Sequence, residues 1–212
     1  NYEERGKTLP LHIYVGIFMC DGNSKFVSKF PLNKRKFINT TSMNPSIALL
    51  SASQGLCGPG KIAYDPFCGS GSLLVACASL GSHVFGSDLD LSSMFKAEND
   101  WVGSNFDQYG LKDKLINLFR CDILTDVVRF NRTIDAIVTD PPYGIREKCV
   151  SKNKKAKKSS DNTNDNDNDN DNDNTPTSPL LPLLLRLYEF SARALKLGGR
   201  LVFWLPCAYN LE

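Results

Sequence analysis

Short apolar segments alternate with helix-like segments along most of this chain, and no other feature constrains its fold as strongly. The apolar segments are rich in β-branched and aromatic residues, as strands are. The predicted strands are 62–65, 82–88, 115–121, 134–139 and 200–205. The predicted helices are 71–80, 92–109 and 179–197, with Gly103 as a weak point of the second. This alternation predicts a mostly parallel, doubly wound α/β sheet of the Rossmann-like type, covered by helices on both faces.

The amino-terminal segment has a different pattern. His12–Cys20 is a predicted strand, Asp21–Ser24 is a turn signal, and Lys25–Phe30 alternates polar and apolar residues. These features predict a β-hairpin, followed by a basic linker up to residue 40. The α/β domain would then span residues 41–212. Its first helix begins at Asn44-Pro45, an N-cap followed by a proline in the first helical position, and closes before Gly58.

Residues 152–177 are almost wholly polar and include an alternation of Asn and Asp from Asn164 to Asn174. A segment with so few apolar residues cannot offset the entropy of folding, so it predicts a disordered insertion inside the α/β domain. The chain carries a net charge of +2. The segment 148–173 has 6 Lys and 6 Asp, so the remainder is also at +2. Such a balance neither demands nor excludes a nucleic-acid partner.

The hydropathy and the cysteine pattern of the sequence disfavour several classes of protein. No run of 18 apolar residues is present, and residues 1–7 lack the apolar core of a signal peptide. The seven cysteines are odd in number, scattered and without a C-x-x-C pair, which predicts reduced thiols and no metal site. We therefore expect a cytoplasmic protein without a membrane segment. The missing initiator Met suggests a fragment of a longer chain.

Acidic residues stand at or just after the ends of four successive predicted strands. They are Asp65, Asp88, Asp122 and Asp140. In open α/β sheets, ligands bind outside the carboxyl ends of the strands, so the four carboxylates mark a candidate site. Asp88 lies 17 residues after Gly71, near the spacing of an acid that holds a ribose diol. Asp122 could accept a hydrogen bond from an adenine amine.

The first of these strands runs into a glycine turn, Gly69-Ser70-Gly71. Glycine lets the backbone approach a ligand closely. Leu74 occupies the place of a third glycine, so the match to G-x-G-x-x-G is incomplete. The preceding Asp65 would repel a phosphate and instead favours a cationic or hydroxyl-rich ligand.

The order Asp65-Pro-Phe-Cys-Gly-Ser-Gly, then Asp88, then Asp140-Pro-Pro-Tyr resembles a class I S-adenosylmethionine-dependent methyltransferase that acts on an exocyclic amino nitrogen. The resemblance narrows with further motifs. Lys34–Phe37, Thr41–Met43, Asp140–Arg146 and Gly198–Pro206 are similar to the catalytic subunit of the eukaryotic tRNA guanine-N2 methyltransferase that modifies guanosine 10. This similarity extends from Tyr14 to Pro206, apart from the insertion.

The resemblance implies a cofactor, S-adenosyl-L-methionine, and a set of residues that hold it. The implied cofactor-binding residues are Thr41, Ser42, Met43, Asp65, Phe67, Gly69, Ser70, Gly71, Asp88 and Asp122. Asp65 suits the positive ammonium and sulfonium of the methionine end, and Asp88 suits the ribose. Residues 41–43 would close the pocket from the amino-terminal side. Cys68 stands where the family often has Val, a small and tolerable change.

The implied catalytic residues are Asp140, Pro141, Pro142 and Tyr143. A guanine N2 amine is a poor nucleophile because its lone pair is conjugated into the ring. The Asp140 carboxylate and the Pro141 carbonyl can each accept one amine hydrogen, which aims the lone pair at the methyl group. Consecutive prolines stiffen the loop, and Tyr143 can stack on the base. Because in-line attack is hard inside a stacked helix, we expect the guanosine to be flipped out.

Two kinds of partner follow from the resemblance. The predicted tRNA-contacting residues are Lys34, Arg35, Lys36, Phe37 and Arg146. The family also works with a small zinc-binding activator subunit that adds a strand beside segment 115–121. That segment would be an edge strand with apolar side chains, and such edges invite pairing with another chain.

Two alternatives remain open from the sequence. A DNA adenine-N6 or cytosine-N4 methyltransferase shares the logic of the Asp-Pro-Pro-Tyr motif. A nucleotide-binding module without methyl transfer, such as a scaffold or a degenerate dehydrogenase, would use the same sheet. The family's last two strands and its amino-side RNA-binding domain are expected to lie outside this chain, which would leave the fragment catalytically incomplete.

Overall fold

A computed structural model describes residues 15–18, 24–40, 42–125, 129–143 and 180–205. The strands are β1 (Ile62–Asp65), β2 (His83–Asp88), β3 (Phe95–Ala97), β4 (Asp100–Trp101), β5 (Leu115–Arg120), β6 (Ile134–Thr139) and β7 (Leu195–Phe203). The helices are α1 (Ser24–Val27), α2 (Pro45–Gln54), α3 (Ser72–Ser79), α4 (Leu91–Met94), α5 (Val102–Gln108) and α6 (Leu180–Ala194). Short 3-10 turns lie at Leu32–Lys34 and Lys112–Lys114.

Five strands form one sheet in the order β5-β2-β1-β6-β7, and every neighbouring pair is parallel. Each face of this sheet carries its own apolar core, because successive residues of a strand point to opposite faces. Ala63 packs into the cluster that contains α2, α3 and α5, whereas Tyr64 packs into the cluster that contains α6. The predicted mostly parallel, doubly wound α/β fold is therefore confirmed.

The start of α2 follows the predicted capping chemistry. The Asn44 side chain accepts a hydrogen bond of 2.9 Å from the Ser46 amide, and Pro45 occupies the first helical position. The Ala48 and Leu49 side chains then bury against the first core. The local sequence signal and the tertiary packing agree here, which is why this boundary could be read from the sequence.

The predicted amino-terminal hairpin is wrong in its second half, because residues 24–27 form helix α1 and not a strand. The helical turn places Phe26 and Phe30 on one side, with ring centroids 5.4 Å apart. Phe30 also contacts Tyr109 edge-on at 5.0 Å. Residues 15–18 have no regular structure, and the rest of the predicted first strand lies outside the described residues.

The long helix predicted over 92–109 is also wrong, because an antiparallel hairpin interrupts it. Strands β3 and β4 pair Phe95 with Trp101 across a turn at 98–99, and α5 begins only at Val102. The Trp101 ring lies over Gly103, where a Cβ atom would come within 2.3 Å of it. Gly103 therefore provides space for an aromatic ring and is not a weak point of a continuous helix.

The glycines 198 and 199 do not end α6 as predicted. The helix ends at Ala194, and β7 begins at Leu195, opposite Ile134 of β6. The register then shifts, so that Ala136 pairs with Arg200 and the intervening residues form an irregularity in the strand. Gly198 lies there with a φ of 78°, a left-handed conformation that favours glycine.

Candidate active site

Four acidic residues gather at one edge of the sheet. Asp65 and Asp88 are the last residues of β1 and β2, Asp122 follows β5, and Asp140 directly follows β6. Because these strands are parallel, their carboxyl ends meet at the same edge. The charges of Asp88 and Asp140 both raise the pKa of Asp65, as expected for neighbouring carboxylates.

Asp65 is the most enclosed of the four, with 1% of its surface exposed. Its Oδ1 atom accepts hydrogen bonds from the Phe67 amide at 3.0 Å and from Thr139 Oγ1 at 2.6 Å. Burial raises the pKa of Asp65 to about 7, although these two hydrogen bonds act in the opposite direction. A carboxylate held in this way is well suited to a cationic ligand, which would stabilise its charged form.

A hydrogen bond joins the glycine turn, which follows β1, to the last residue of β2. The Gly69 amide donates to Asp88 Oδ2 at 2.9 Å, and the Asp90 amide donates to Asp88 Oδ1 at 3.0 Å. Burial raises the pKa of Asp88. Gly71 has a φ of 75°, and a Cβ atom there would lie 2.5 Å from Val102 Cγ1. The turn therefore requires glycine at this position for both conformation and space.

The segment that precedes α2 docks on this turn. Ser42 Oγ and Ser70 Oγ share a hydrogen bond of 2.7 Å, and the Met43 amide donates to Ser72 Oγ at 3.2 Å. The structure thus brings Ser42, Met43 and Ser70 together, and their role in a pocket wall stays a prediction. Thr41 lies outside the described residues.

Helix α5 holds the same segment from the other side through two polar residues that sequence reasoning missed. Asn105 Oδ1 accepts from the Phe37 amide and Asn105 Nδ2 donates to the Phe37 carbonyl, both at 2.8 Å. Gln108 accepts from the Lys36 amide at 2.9 Å and donates to the Lys34 carbonyl at 2.7 Å. A polar residue within a helix gives no sequence signal of such a role, because most of them face water.

Two of the predicted tRNA-contacting residues are buried, which corrects that prediction. Phe37 has no exposed surface and packs in the first core, so its ring cannot stack on a base in this conformation. Arg35 is 6% exposed and donates from Nη1 to Ser72 Oγ at 2.8 Å. Lys34 and Lys36 are exposed and stay predicted RNA contacts, whereas Arg146 lies outside the described residues.

The predicted catalytic loop leaves β6 beside β1, next to Asp65. Asp140 is exposed, Pro141 is buried, and Pro142 and Tyr143 are half-buried. The Tyr143 hydroxyl is buried and interacts with the Asp140 side chain. Burial and the charge of Asp140 raise the pKa of Tyr143, so its phenol stays protonated near neutral pH.

Asp122 lies at the outer end of the row. Its Oδ1 atom accepts from the Leu124 amide at 3.0 Å, which closes a tight turn after β5. The Cys121 amide donates to the Asp88 carbonyl at 3.0 Å and so joins this turn to the end of β2. Among the described side chains, Asp122 has no direct hydrogen bond to the other three acids.

No group of three or more His, Cys, Asp or Glu side chains in the described ranges is arranged to hold a metal ion. Within these ranges, none of the helices combines the length and the apolar character that crossing a membrane requires.

Two of the known proteins that this chain resembles in sequence carry the same enzyme name. The chain is 34% identical over 198 residues to the tRNA (guanine(10)-N(2))-methyltransferase TRMT11 of Dictyostelium discoideum, covering 93% of this chain and 39% of that protein. It is 37% identical over 213 residues to the tRNA (guanine(10)-N(2))-methyltransferase of Saccharomyces cerevisiae, covering 96% and 49%. The chain thus spans less than half the length of these two relatives.

Among solved structures, TrmN from Thermus thermophilus is 26% identical, with a TM-score of 0.40 over 56% of this chain and 32% of that one. A family model, UPF0020 (RMKL-like, methyltransferase domain), matches residues 33–159, more than half of the chain. The matched range contains the glycine turn and all four acids at the edge of the sheet. The chain therefore belongs to the UPF0020 family of RMKL-like methyltransferase domains.

Proposed function

We propose that this chain is the catalytic domain of an S-adenosylmethionine-dependent methyltransferase that modifies the exocyclic N2 of guanosine 10 in tRNA. The family membership supports methyl transfer, and the names of the relatives support the substrate. The observation that carries the proposal is the row of carboxylates that ends β1, β2 and β6, with Asp140-Pro-Pro-Tyr143 beside the buried Asp65.

The residues present fit this cofactor. Its methionine end is cationic at the ammonium and the sulfonium, and the buried Asp65 carboxylate offers a matching charge. Asp88 lies against the glycine turn through Gly69, where a ribose diol could share its carboxylate. Asp122 is assigned to the adenine edge, and Phe67, Ser42 and Met43 to the pocket wall. When bound, the cofactor supplies an electrophilic methyl group on sulfur.

The residues after β6 would hold and orient the acceptor base. The Asp140 carboxylate and the Pro141 carbonyl each accept one hydrogen of the guanine amine, which directs the nitrogen lone pair toward the methyl group. Pro142 keeps the loop stiff, and Tyr143 stacks on the base while its phenol stays protonated. This geometry needs the guanosine outside the helix stack. The exposed Lys34 and Lys36, with Arg146, would contact the RNA backbone.

A methyl-transfer assay tests the proposal. The full chain, alone and with a candidate activator subunit, is given S-adenosylmethionine carrying a tritiated methyl group together with unmodified tRNA or duplex DNA. We expect label in tRNA only, as N2-methylguanosine at position 10 by mass mapping, and none in a tRNA that has adenosine there. Label in DNA adenine or cytosine would instead support a DNA methyltransferase. Absence of S-adenosylhomocysteine binding would point to a module without methyl transfer.

We also propose that a small zinc-binding activator subunit pairs with β5. Among the described strands, β5 forms one end of the sheet, and its Ile116 side chain is 55% exposed. An apolar edge strand of this kind is available for pairing with another chain. Ile116→Lys should prevent co-purification with such a subunit, whereas Ile47→Lys, at an exposed apolar position of α2, should not. An isolated chain that is monomeric, soluble and fully active would contradict the idea.

The proposed location is the cytoplasm. Four cysteines are free in the described residues, namely Cys57, Cys68, Cys77 and Cys121. Reduced thiols fit a compartment that keeps cysteines reduced. Imaging of the tagged full chain checks this assignment, and accumulation in a secretory compartment would contradict it.

A further inference from the structure

Within the described part of the chain, Arg35 is a buried cation without an anionic partner. The residue is 6% exposed, and no carboxylate of the described residues forms an ion pair with it. Its Nη1 atom donates to Ser72 Oγ at 2.8 Å, and its buried Nε atom has no hydrogen-bond partner in the described ranges. Burying a charge is costly unless an opposite charge compensates it. Since no described residue supplies the compensating anion, a negatively charged ligand is a candidate for it.

The main chain on both sides of Arg35 is fixed, so the guanidinium is held in place before a ligand arrives. Gln108 bonds the Lys34 carbonyl and the Lys36 amide, and Asn105 bonds both main-chain groups of Phe37. Such preorganisation lowers the entropic cost of binding a ligand. Because these contacts restrict the main chain, Arg35 is poorly placed to bind a partner at the protein surface.

The guanidinium lies at the start of α3, immediately after the glycine turn. Ser72 is the first residue of that helix, follows Gly71 at the N-cap, and receives hydrogen bonds from both Arg35 and the Met43 amide. Helix amino ends favour negative charge, and the first turn of α3 contains no acidic residue. The positive guanidinium and the helix end therefore favour an anion at the same place.

We propose that Arg35 binds the α-carboxylate of the methionine moiety of S-adenosylmethionine. This inference rests on the proposed function, which supplies the cofactor. The cofactor's ammonium is attached to the same carbon as its carboxylate. Asp65 directly precedes the segment 66–71 that contains the glycine turn, and Arg35 bonds Ser72 directly after it, so the two side chains match the two charges of one amino-acid group. An RNA phosphate fits less well, because phosphodiesters on a folded RNA reach exposed cations such as Lys34 and Lys36.

Calorimetry with two ligands tests the proposal on the full chain. S-adenosylhomocysteine is compared with its decarboxylated amine analogue, which keeps the adenosine, the thioether and the ammonium. We expect the wild type to prefer S-adenosylhomocysteine by about 10- to 100-fold, the range of charge-assisted hydrogen bonds. Arg35→Met should lose that preference, with unchanged affinity for the analogue. Lys112→Met removes an exposed cation and should keep the wild-type preference.

Other results would contradict either the role of Arg35 or the proposed function. If the wild type binds the two ligands equally, or if Arg35→Met weakens both by the same factor, Arg35 is a packing residue. If Arg35→Met keeps its affinity for S-adenosylhomocysteine and loses tRNA binding, the guanidinium serves the RNA. A wild type that binds no S-adenosylhomocysteine would remove the proposed function and this inference together. Should Arg35→Met fail to fold, Arg35→Lys keeps the charge without the planar fork and should show a partial loss of preference.

Discussion

The Thr139 hydroxyl donates a hydrogen bond of 2.6 Å to Oδ1 of Asp65, which joins the last residue of β6 to the last residue of β1. The acid is buried, and the bond holds its carboxylate at the end of β1. The catalytic-loop residue Asp140 directly follows Thr139. The Thr139 hydroxyl therefore links the proposed cofactor site to the proposed base-binding loop.

Cofactor affinity should increase as the pH rises through about 7. Burial raises the pKa of Asp65 to about 7, and a cationic ammonium needs the ionised carboxylate. Calorimetry with S-adenosylhomocysteine between pH 6 and 8 measures the slope. Asp65→Asn should bind weakly, with a nearly flat profile over that range. A wild-type affinity that does not change with pH would contradict the role of Asp65.

Asp65 should also shape the pH dependence of folding stability. Its folded-state pKa lies above the ordinary value of 3.8, so its contribution to stability is present below about pH 4 and is lost as the pH rises through about 7. Replacing it with Asn removes this loss. Relative to the wild type, Asp65→Asn should gain on the order of 2 kcal/mol in unfolding free energy between pH 5 and pH 8. Urea unfolding at both pH values checks this, and parallel stability curves would refute it.

Gly71→Ala should destabilise the protein more than Gly60→Ala. Both glycines have a φ of 75°, but a Cβ atom at Gly71 would meet Val102 at 2.5 Å, whereas the space around Gly60 is open. Gly60→Ala therefore measures backbone strain alone, about 1 kcal/mol, and Gly71→Ala adds an overpacking cost of about 1–3 kcal/mol. Adding Val102→Ala to Gly71→Ala should recover part of the difference. Equal effects at the two glycines in thermal unfolding would count against the packing argument.

Asn105→Ala should lower the unfolding free energy by about 2–4 kcal/mol, because it leaves both buried main-chain groups of Phe37 without their partner. Gln108→Ala is the matched control, since it removes two exposed bonds to the same segment and should cost about 1 kcal/mol. Denaturant titration gives both values. Asn105→Ala should also weaken S-adenosylhomocysteine binding, because the segment that carries Arg35 and Ser42 would loosen.

Asp140→Asn should lower turnover by roughly 100-fold or more, since it weakens an interaction made with the reacting amine. Its affinity for S-adenosylhomocysteine should change by less than about threefold. Single-turnover methyl transfer and calorimetry measure the two effects separately. Asp113→Asn is the control, because this exposed acid precedes the amino end of β5 and the four site acids lie at the carboxyl ends of the strands. Equal losses of turnover and affinity would mean that Asp140 serves the cofactor and not the base.

The sequence by itself determined the strands of the sheet, the capping of α2, the need for a glycine turn and the positions of the four acids. These features are local, because strand composition, capping and turn chemistry depend on residues a few positions apart. The parallel arrangement follows from the alternation of elements. It was enough to predict that Asp65, Asp88 and Asp140 meet at one edge.

Only the tertiary structure decided what the segment 34–37 does. Its Lys-Arg-Lys-Phe pattern indicated an exposed basic loop, yet Asn105 and Gln108, about 70 residues further along the chain, hold it down and bury Arg35 and Phe37. The hairpin of β3 and β4 and the bulge at Gly198 were likewise not predicted from the sequence. At residues 34–37 and in β7, contacts between distant residues outweighed the local preference, because packing and buried hydrogen bonds are worth more than propensity differences of a few tenths of a kcal/mol.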